Sequence, residues 1–509
     1  MTDQSKDTGG PDRPPTSESP IPNRRLVGSL PLLSPTEAAD HVPSRATLLV
    51  SGFGGVGYPK RVPEAIAASK PRELTVVSGG GVGAEIDGRL VESGDLRRRY
   101  PFQTQPTVRE AINHGEIAFH DSHVSHVADE LRFDGLHRGI MGERIAIIEA
   151  VAVGEGWLVP SMSSGNTPAF VDVADRVLVE LNRAQPIEIA AVHDVYQRSL
   201  PPDRKAIPLS DPLGTIGGPA VAFAPEKLIG VVEVDRPDDP YTFRSPTPAD
   251  RAVAANLREF LAEELERNLL FESSVTLQFG VGSLGNALMS EISGLNFGNR
   301  DVVYFGEVIQ DGLLELLETD TIRGASATSL ALSSAGQERL FSSIDRLTDR
   351  IVLRPGDISN DAGLIDRFGV VGINSAVEVD LNANANATHL RGRNIVNGIG
   401  GGGDFVRNSV LGIVALPSTA ANGDISRIVP KVPHVDHTEH DVSVVVTEHG
   451  VADLRGCSSV ERAEILVDVA APRYREELHR YLDRAKAVGG NTPFHAESAF
   501  DCGTDSDRE

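Results

Sequence analysis

Residues 302–318 read VVYFGEVIQDGLLELLE. An apolar run with β propensity stops at Gly306 and Glu307, and a leucine-striped segment follows. A run of that kind passing into a helical period is the strand-to-helix junction of a parallel α/β sheet. A carboxylate at such a junction is either an acid favoured by the helix N-terminus or a reacting group.

Working outward, the design recurs. In LQFGVGSLGNALMSEI (277–292) a strand enters Gly280-Val281-Gly282, and Ser283 is placed to cap a helix carrying Leu284, Leu288 and Ile292 on one face. Further along, NGIGGGGDF (397–405) holds five glycines in nine residues. Concentrating that conformational entropy between ordered segments is justified if backbone N–H groups are to meet an anion. Upstream, ATLLVS, ELTVVSG, IAIIEAVAV, RVLVELN and EIAAVHDV alternate with helical patterns, beginning from a capping box at Ser34, Pro35 and Glu37. A Pro- and Asp-dense break, VDRPDDPYTFRSPTPAD (234–250), separates two such series. The reading is of two α/β domains in tandem without an obvious sequence repeat, residues 29–233 and 251–495, joined by a linker at 234–250. The polar stretches 1–28 and 496–509 are expected to be disordered tails.

Composition sets limits. The chain has 509 residues, 72 acidic against 48 basic, for a formal net charge of −24. That charge argues against a nucleic-acid or anionic-membrane surface. No apolar run approaches a membrane span, and the N-terminus lacks the features of a signal or transit peptide. Two cysteines, Cys457 and Cys502, argue against a disulfide framework and suit a reducing cytoplasm.

GFGGVG (52–57) matches a dinucleotide fingerprint, with Glu73 roughly where a ribose-binding acid would lie. The fingerprint requires a helix running on from the glycines, whereas Pro59 and Pro63 fall within its first two turns. A tight glycine turn at the top of a sheet is the reading preferred here.

A carboxylate opposite two sets of backbone donors suits acyl transfer with a glutamate nucleophile; a capping acid beside two flexible turns is the alternative. At these residues the chain resembles class I coenzyme A transferases of the acetyl-CoA hydrolase/transferase family, nearest in pattern to succinyl-CoA:acetate CoA-transferases. The likeness is carried by SGFGGVGYPKRVPEAIA, VPSMSSGNTPAF, LQFGVGSLGNAL, EVIQDGLLELLE, VNGIGGGGDFVRNS, STAANGDISRIVP and VVVTEHGVADLRG, in order over about 30–495. It implies two CoA-transferase-type (NagB/RpiA-like) α/β domains with the active site in the cleft between them, a homodimer, and no metal. Coenzyme A is implied as substrate, with no permanently bound cofactor. Glu307 is implied as nucleophile, forming a glutamyl-CoA thioester, with Val281 and Gly401 as oxyanion-hole amides. Leu277, Gln278, Phe279, Gly280, Val281, Asn360, Gly401 and Phe405 are implied as CoA contacts. Glu448, Gly52, Phe53, Ser164 and Asn166 are implied as active-site support or acyl pocket.

Three departures stand out. Gly306 replaces a Thr or Ser common in relatives, Gly402 a serine, and Asp239 an arginine, with Arg236 and Arg244 nearby. Several residues also have plainer readings. Ser164 and Asn166 are equally an ordinary turn, Lys60 is solvated or a carboxylate attractor, and Asp404 is a helix cap. Cys457 is a packed side chain. His434, His437 and His440 are not expected to bind metal. The expected activity is exchange of CoA between a short acyl-CoA and a carboxylate, with succinate and acetate foremost. Acetyl-CoA hydrolysis, propionyl- or 4-hydroxybutyrate transfer, and a non-catalytic acyl-CoA binder are the alternatives.

Overall fold

The computed structural model describes residues 14–69, 72–136, 138–140, 142–239 and 244–494. The apolar runs become strands buried on both faces, as parallel sheets require, except EIAAVHDV, where Ile187–Val192 forms a 3-10 helix instead of the expected strand. In the first half these are β1 (Thr47–Val50), β2 (Leu74–Ser78), β3 (Leu96–Tyr100), β4 (Ala118–Phe119), β5 (Arg144–Gly154), β6 (Trp157–Pro160), β7 (Arg176–Asn182), β8 (Val221–Ala222) and β9 (Leu228–Val234). The parallel order is β4-β3-β2-β1-β5-β7-β9, with β6 and β8 added antiparallel at the far end of the long β5.

The second half uses β10 (Ser274–Phe279), β11 (Asp301–Phe305), β12 (Gly324–Ala327), β13 (Ile351–Leu353) and β14 (Val370–Asn374), then strands Leu411–Ala415, Val444–Thr447 and Gly450–Asp453. Their order is β13-β12-β11-β10-β14 followed by those three, all parallel except the last. The halves therefore repeat one topology without an obvious sequence repeat. In each, the chain leaves the first strand in one direction and returns to its other side with a later one. That reversal, between β1 and β5 and between β10 and β14, opens a crevice at the strands' carboxyl ends where ligands bind in open α/β sheets.

The halves share apolar packing. Phe53, Val56, Val124, Met162, Ile189 and Val192 of the first belong to the same buried cluster as Leu277, Tyr304, Leu313 and Leu330 of the second. The helix Pro248–Arg267 adds Val253, Leu257 and Phe260 to that cluster. Across the seam, Ser163 pairs with Ser329, and Ser164 N–H donates to Thr328 O at 2.9 Å.

Some boundaries differ from the sequence expectation. The tail was expected to run to residue 28, but Leu26 bridges to Val153 and Val27 is buried. Arg25 donates to the carbonyls of Asn182 and Gln185 at 3.2 and 2.6 Å. An apolar pair followed onto the end of β5 is enough to hold this stretch in place. The expected linker at 234–250 is partly built into the first half: Asp238 is buried, and Arg236 is held by Glu64 and Glu85, each at 2.6 Å. The stretch 496–509 lies outside the described residues. Among the described residues no helix is long and apolar enough to cross a membrane.

Candidate active site

Glu307 follows β11 by two residues, at the carboxyl end of the sheet. The next helix begins only at Asp311, with Gln310 as its N-cap, so Glu307 caps nothing. Its backbone is fixed instead: Glu307 O accepts from Thr328 N–H at 2.9 Å and Ser329 N–H at 3.2 Å. Ser329 Oγ in turn donates to Phe53 O at 2.6 Å, so the seam between the halves positions the nucleophile candidate.

The carboxylate faces a cavity of about 360 Å³. Strand ends at and next to the switch points line it: Phe53 and Gly54 after β1, Gly80 and Gly81 after the neighbouring β2, Gly280 and Val281 after β10, and Asn374 and Ser375 at the end of β14. Phe102, Thr104, Arg109 and Val124 complete the first-half wall, and the 397–402 glycine run with His437 the opposite one. GFGGVG and GVG thus stand at the same station of the repeated topology. That is a physical reason for glycine at both, because strand ends meeting across a crevice leave little room for side chains.

The run at 397–402 is stapled to the first half. Val124 N–H donates to Gly400 O at 3.1 Å, Gln103 N–H to Asn397 O at 3.1 Å, and Ile399 N–H to the Asp121 carboxylate. Gly398 and Gly400 have positive φ, 137° and 57°. Gly401 does not, at φ −100°, yet a Cβ there would overlap both the Glu307 carboxyl and the Asn360 amide. Among the described residues neither the Val281 nor the Gly401 N–H donates a hydrogen bond within the chain.

Asn360 Nδ2 bridges two carboxylates, lying 3.2 Å from Glu307 Oε1 and 3.2 Å from Asp404 Oδ2. Asp404 also accepts from Ser125 Oγ at 2.6 Å and Ser125 N–H at 3.2 Å, across the seam. Asp404 is therefore not the helix cap expected from sequence. It lies inside the helix Gly402–Asn408, and its partners come from other segments. Burial, with the Asp404 charge second, pushes the Glu307 carboxyl up to about 8. Burial raises Asp404 as well. An acid limb of kcat/KM for acyl-CoA governed by this pair is therefore expected near pH 8. Asp404→Asn, which removes the like charge, is expected to move that limb by about one pH unit toward acid. A profile unmoved in the variant would detach Asp404 from the nucleophile.

Other residues fall differently from expectation. Leu277, Phe279 and Phe405 are packed in apolar cores, and Gln278 is buried against Asn374, with Asn374 Nδ2 donating to its Oε1 at 2.9 Å. Their side chains support the cavity from behind rather than lining it. Asn360 is likewise fully buried behind Glu307. Glu448 is not among the residues lining the cavity; it accepts from Ser418 N–H and Oγ at 2.7 and 2.8 Å. Gly52 has φ 117°, and a Cβ there would press on Tyr58. Ser164 and Asn166 are buried in the seam with unpartnered side-chain polar atoms. Ser283 does not cap its helix; Gly282 does, at φ 133°. Lys60 is neither solvated nor turned to substrate. It is fully buried between Glu149 and Asp238, 2.8 Å from the latter. The Gly306 departure also has a local cause: a Cβ there would overlap the Tyr304 ring and hydroxyl, and that hydroxyl donates to Val308 O at 3.0 Å.

Sequence reading missed Arg109, Thr104, Ser125 and Asn374. The Gly79–Gly81 run after β2 and the end of β14 carried a signal, as strand ends at or next to a switch point. Arg109, in the helix Pro106–Asn113, carried none.

Two α/β halves of one topology, with a buried-walled glutamate facing glycine-rich backbone where they meet, define an enzyme of acyl-CoA transfer or hydrolysis. The chain belongs to the acetyl-CoA hydrolase/transferase family, whose N-terminal domain model matches residues 30–205 and C-terminal domain model residues 336–482. It is 40% identical to a succinyl-CoA:acetate CoA-transferase of Clostridium kluyveri over 91% of this chain and 86% of that protein. It is 35% identical to an acetyl-CoA hydrolase of Neurospora crassa over 89% of each chain. The fold matches the crystal structure of RipA from Yersinia pestis with a TM-score of 0.66 at 22% identity, covering 89% of this chain and 97% of that one.

Proposed function

We propose that the protein moves coenzyme A between a short-chain acyl-CoA and a free carboxylate, succinate and acetate foremost, through a glutamyl-CoA thioester on Glu307. The carrying observation is the fit at Gly401, where absence of a side chain leaves room for the Glu307 carboxyl in a cavity that Val281 also lines. The ionised carboxylate attacks the thioester carbonyl, the C–S bond breaks, and CoA leaves as thiolate from an acyl-glutamyl anhydride. The thiolate then attacks the glutamyl carbonyl, releasing the first carboxylate and leaving the enzyme as its CoA thioester. An incoming carboxylate reverses both steps. Val281 and Gly401 N–H groups receive the tetrahedral oxyanions, an effect of about 2.7–4 kcal/mol per donor. One thioester is exchanged for another, so no further energy source is required, and the covalent intermediate divides the exchange into easier steps.

A second hollow of about 210 Å³ continues from the first across Gly280, Val281, Asn374 and Ser375. Its wall includes Arg244, Arg427 and the start of the helix Ser283–Ile292, groups suited to the phosphates of CoA. Burial lowers Arg427 to about 10, which still leaves it cationic at neutral pH. Water meeting the same glutamyl thioester gives hydrolysis, so one intermediate serves both activities named among the relatives. A cytoplasmic homodimer completes this reading.

Borohydride reduction after incubation with acetyl-CoA or succinyl-CoA, followed by peptide mass spectrometry, is expected to modify the Glu307 peptide in the wild type and not in Glu307→Gln. Exchange activity without any such modification would remove the covalent intermediate. Comparing free CoA release with acyl exchange in the same samples gives the partition between hydrolysis and transfer.

A further inference from the structure

The reacting end of the cavity is walled by carboxyl groups, Glu307 in the lining and Asp404 behind it, and offers no cation to a second carboxylate. A monocarboxylate brings one charge there, which its reaction consumes. A dicarboxylate such as succinate carries a second charge that has to be met elsewhere. Among the described residues lining the cavity, Arg109 is the single lysine or arginine. Its guanidinium is held across the seam, one nitrogen donating to Thr104 O at 3.0 Å and to Asn397 Oδ1 at 3.4 Å. Its Nε is buried without a hydrogen-bond partner. A pinned guanidinium with an unused buried donor, on the wall of a substrate cavity, is built to receive a planar anion.

Four other cations are placed elsewhere. Arg236 is held by Glu64 and Glu85, and Lys60 by Glu149 and Asp238. Arg244 is paired with Asp250 and, with Arg427, borders the second hollow. Asp239 is exposed and acidic. The phosphates of CoA thus have cations of their own, and Arg109 remains for the acyl side.

We propose that Arg109 reads the distal carboxylate of a dicarboxylic acyl group and so sets the preference for succinyl over acetyl. This rests on the CoA-transfer reading. The test measures kcat/KM for succinate and for acetate as acceptors from one donor, propionyl-CoA, in wild type, Arg109→Gln and Arg109→Lys. The succinate-to-acetate ratio is expected to fall by about 30- to 100-fold in Arg109→Gln, mainly through KM for succinate. Arg109→Lys, which keeps the charge but not the fork, is expected to recover part of it. Equal losses for both acids would make Arg109 structural and overturn the assignment. So would an unchanged ratio, or a KM rise for acyl-CoA whatever the acceptor. A wild type that accepts acetate but not succinate overturns it as well. Failure of the wild type with every acid would instead overturn the parent reading.

Discussion

Glu307→Gln is expected to lower CoA exchange by roughly 10⁴-fold or more, the loss that accompanies removal of a covalent nucleophile, while the folded protein becomes more stable. The same environment explains both effects. Burial, reinforced by the like charge of Asp404, raises the Glu307 carboxyl from its ordinary 4.5 to about 8. A proton is therefore held more tightly in the folded than in the unfolded chain. Between those two values folding takes up a proton, so stability declines as pH rises from 4.5 through 8. Glutamine keeps the shape and still accepts from Asn360 Nδ2, but it has no charge to desolvate. Because the carboxylate borders a cavity open to water, the shift is discounted to about 1–2 kcal/mol at pH 8. For a chain of this size that is about 2 °C in melting temperature. Thermal melts at pH 5, 7 and 8.5 are expected to separate progressively in favour of the variant as pH rises. A variant less stable than wild type, or an offset independent of pH, would mean that the Glu307 site is not strained.

Much of this arrangement was legible in the sequence, and what was not has a common cause. Strands buried on both faces are written as unbroken apolar runs, so the α/β class and the station of Glu307 follow from 302–318 and its counterparts. The capping box at Ser34 and Glu37 is equally local, and both of its hydrogen bonds are present. Positive φ is not written in a propensity, so Gly282 displaced Ser283 as cap. Asp404 meets Ser125 at a separation of 279, Arg109 shares a hydrogen bond with Asn397 at a separation of 288, and Lys60 meets Glu149 at a separation of 89. Nothing within a helix or strand period signals such pairings. The duplicated strand order was invisible for a related reason. A topology constrains where chain reversals fall, not which apolar residue fills each strand, so the repeat survives as geometry without an obvious sequence match.

Gly401→Ala tests the glycine run most sharply, because the backbone there asks nothing special of its residue. With φ −100° and ψ 2°, position 401 is accessible to alanine, and no strain in the fold is expected. Gly398 and Gly400 beside it are different, since their positive φ would make any side chain costly whatever the space. What alanine brings at 401 is a methyl group in the volume now shared by the Glu307 carboxyl and the Asn360 amide. One of the three has to move. A displacement of about 1 Å at a reacting centre costs on the order of 10²-fold, and loss of one oxyanion donor about 10²–10³-fold. Turnover is therefore expected to fall about 10³-fold while the melting temperature changes by less than about 2 °C. Gly402→Ala supplies the contrast. A Cβ at 402 has nothing nearer than His437 Cε1 at 3.9 Å, so a far smaller loss is expected one residue along the same run. Steady-state kinetics and thermal melts on the two variants check both halves of this expectation. Near-wild-type turnover in Gly401→Ala would place the reacting carbon away from this amide, and comparable losses at 401 and 402 would assign the glycines to loop folding instead of to room for the carboxylate.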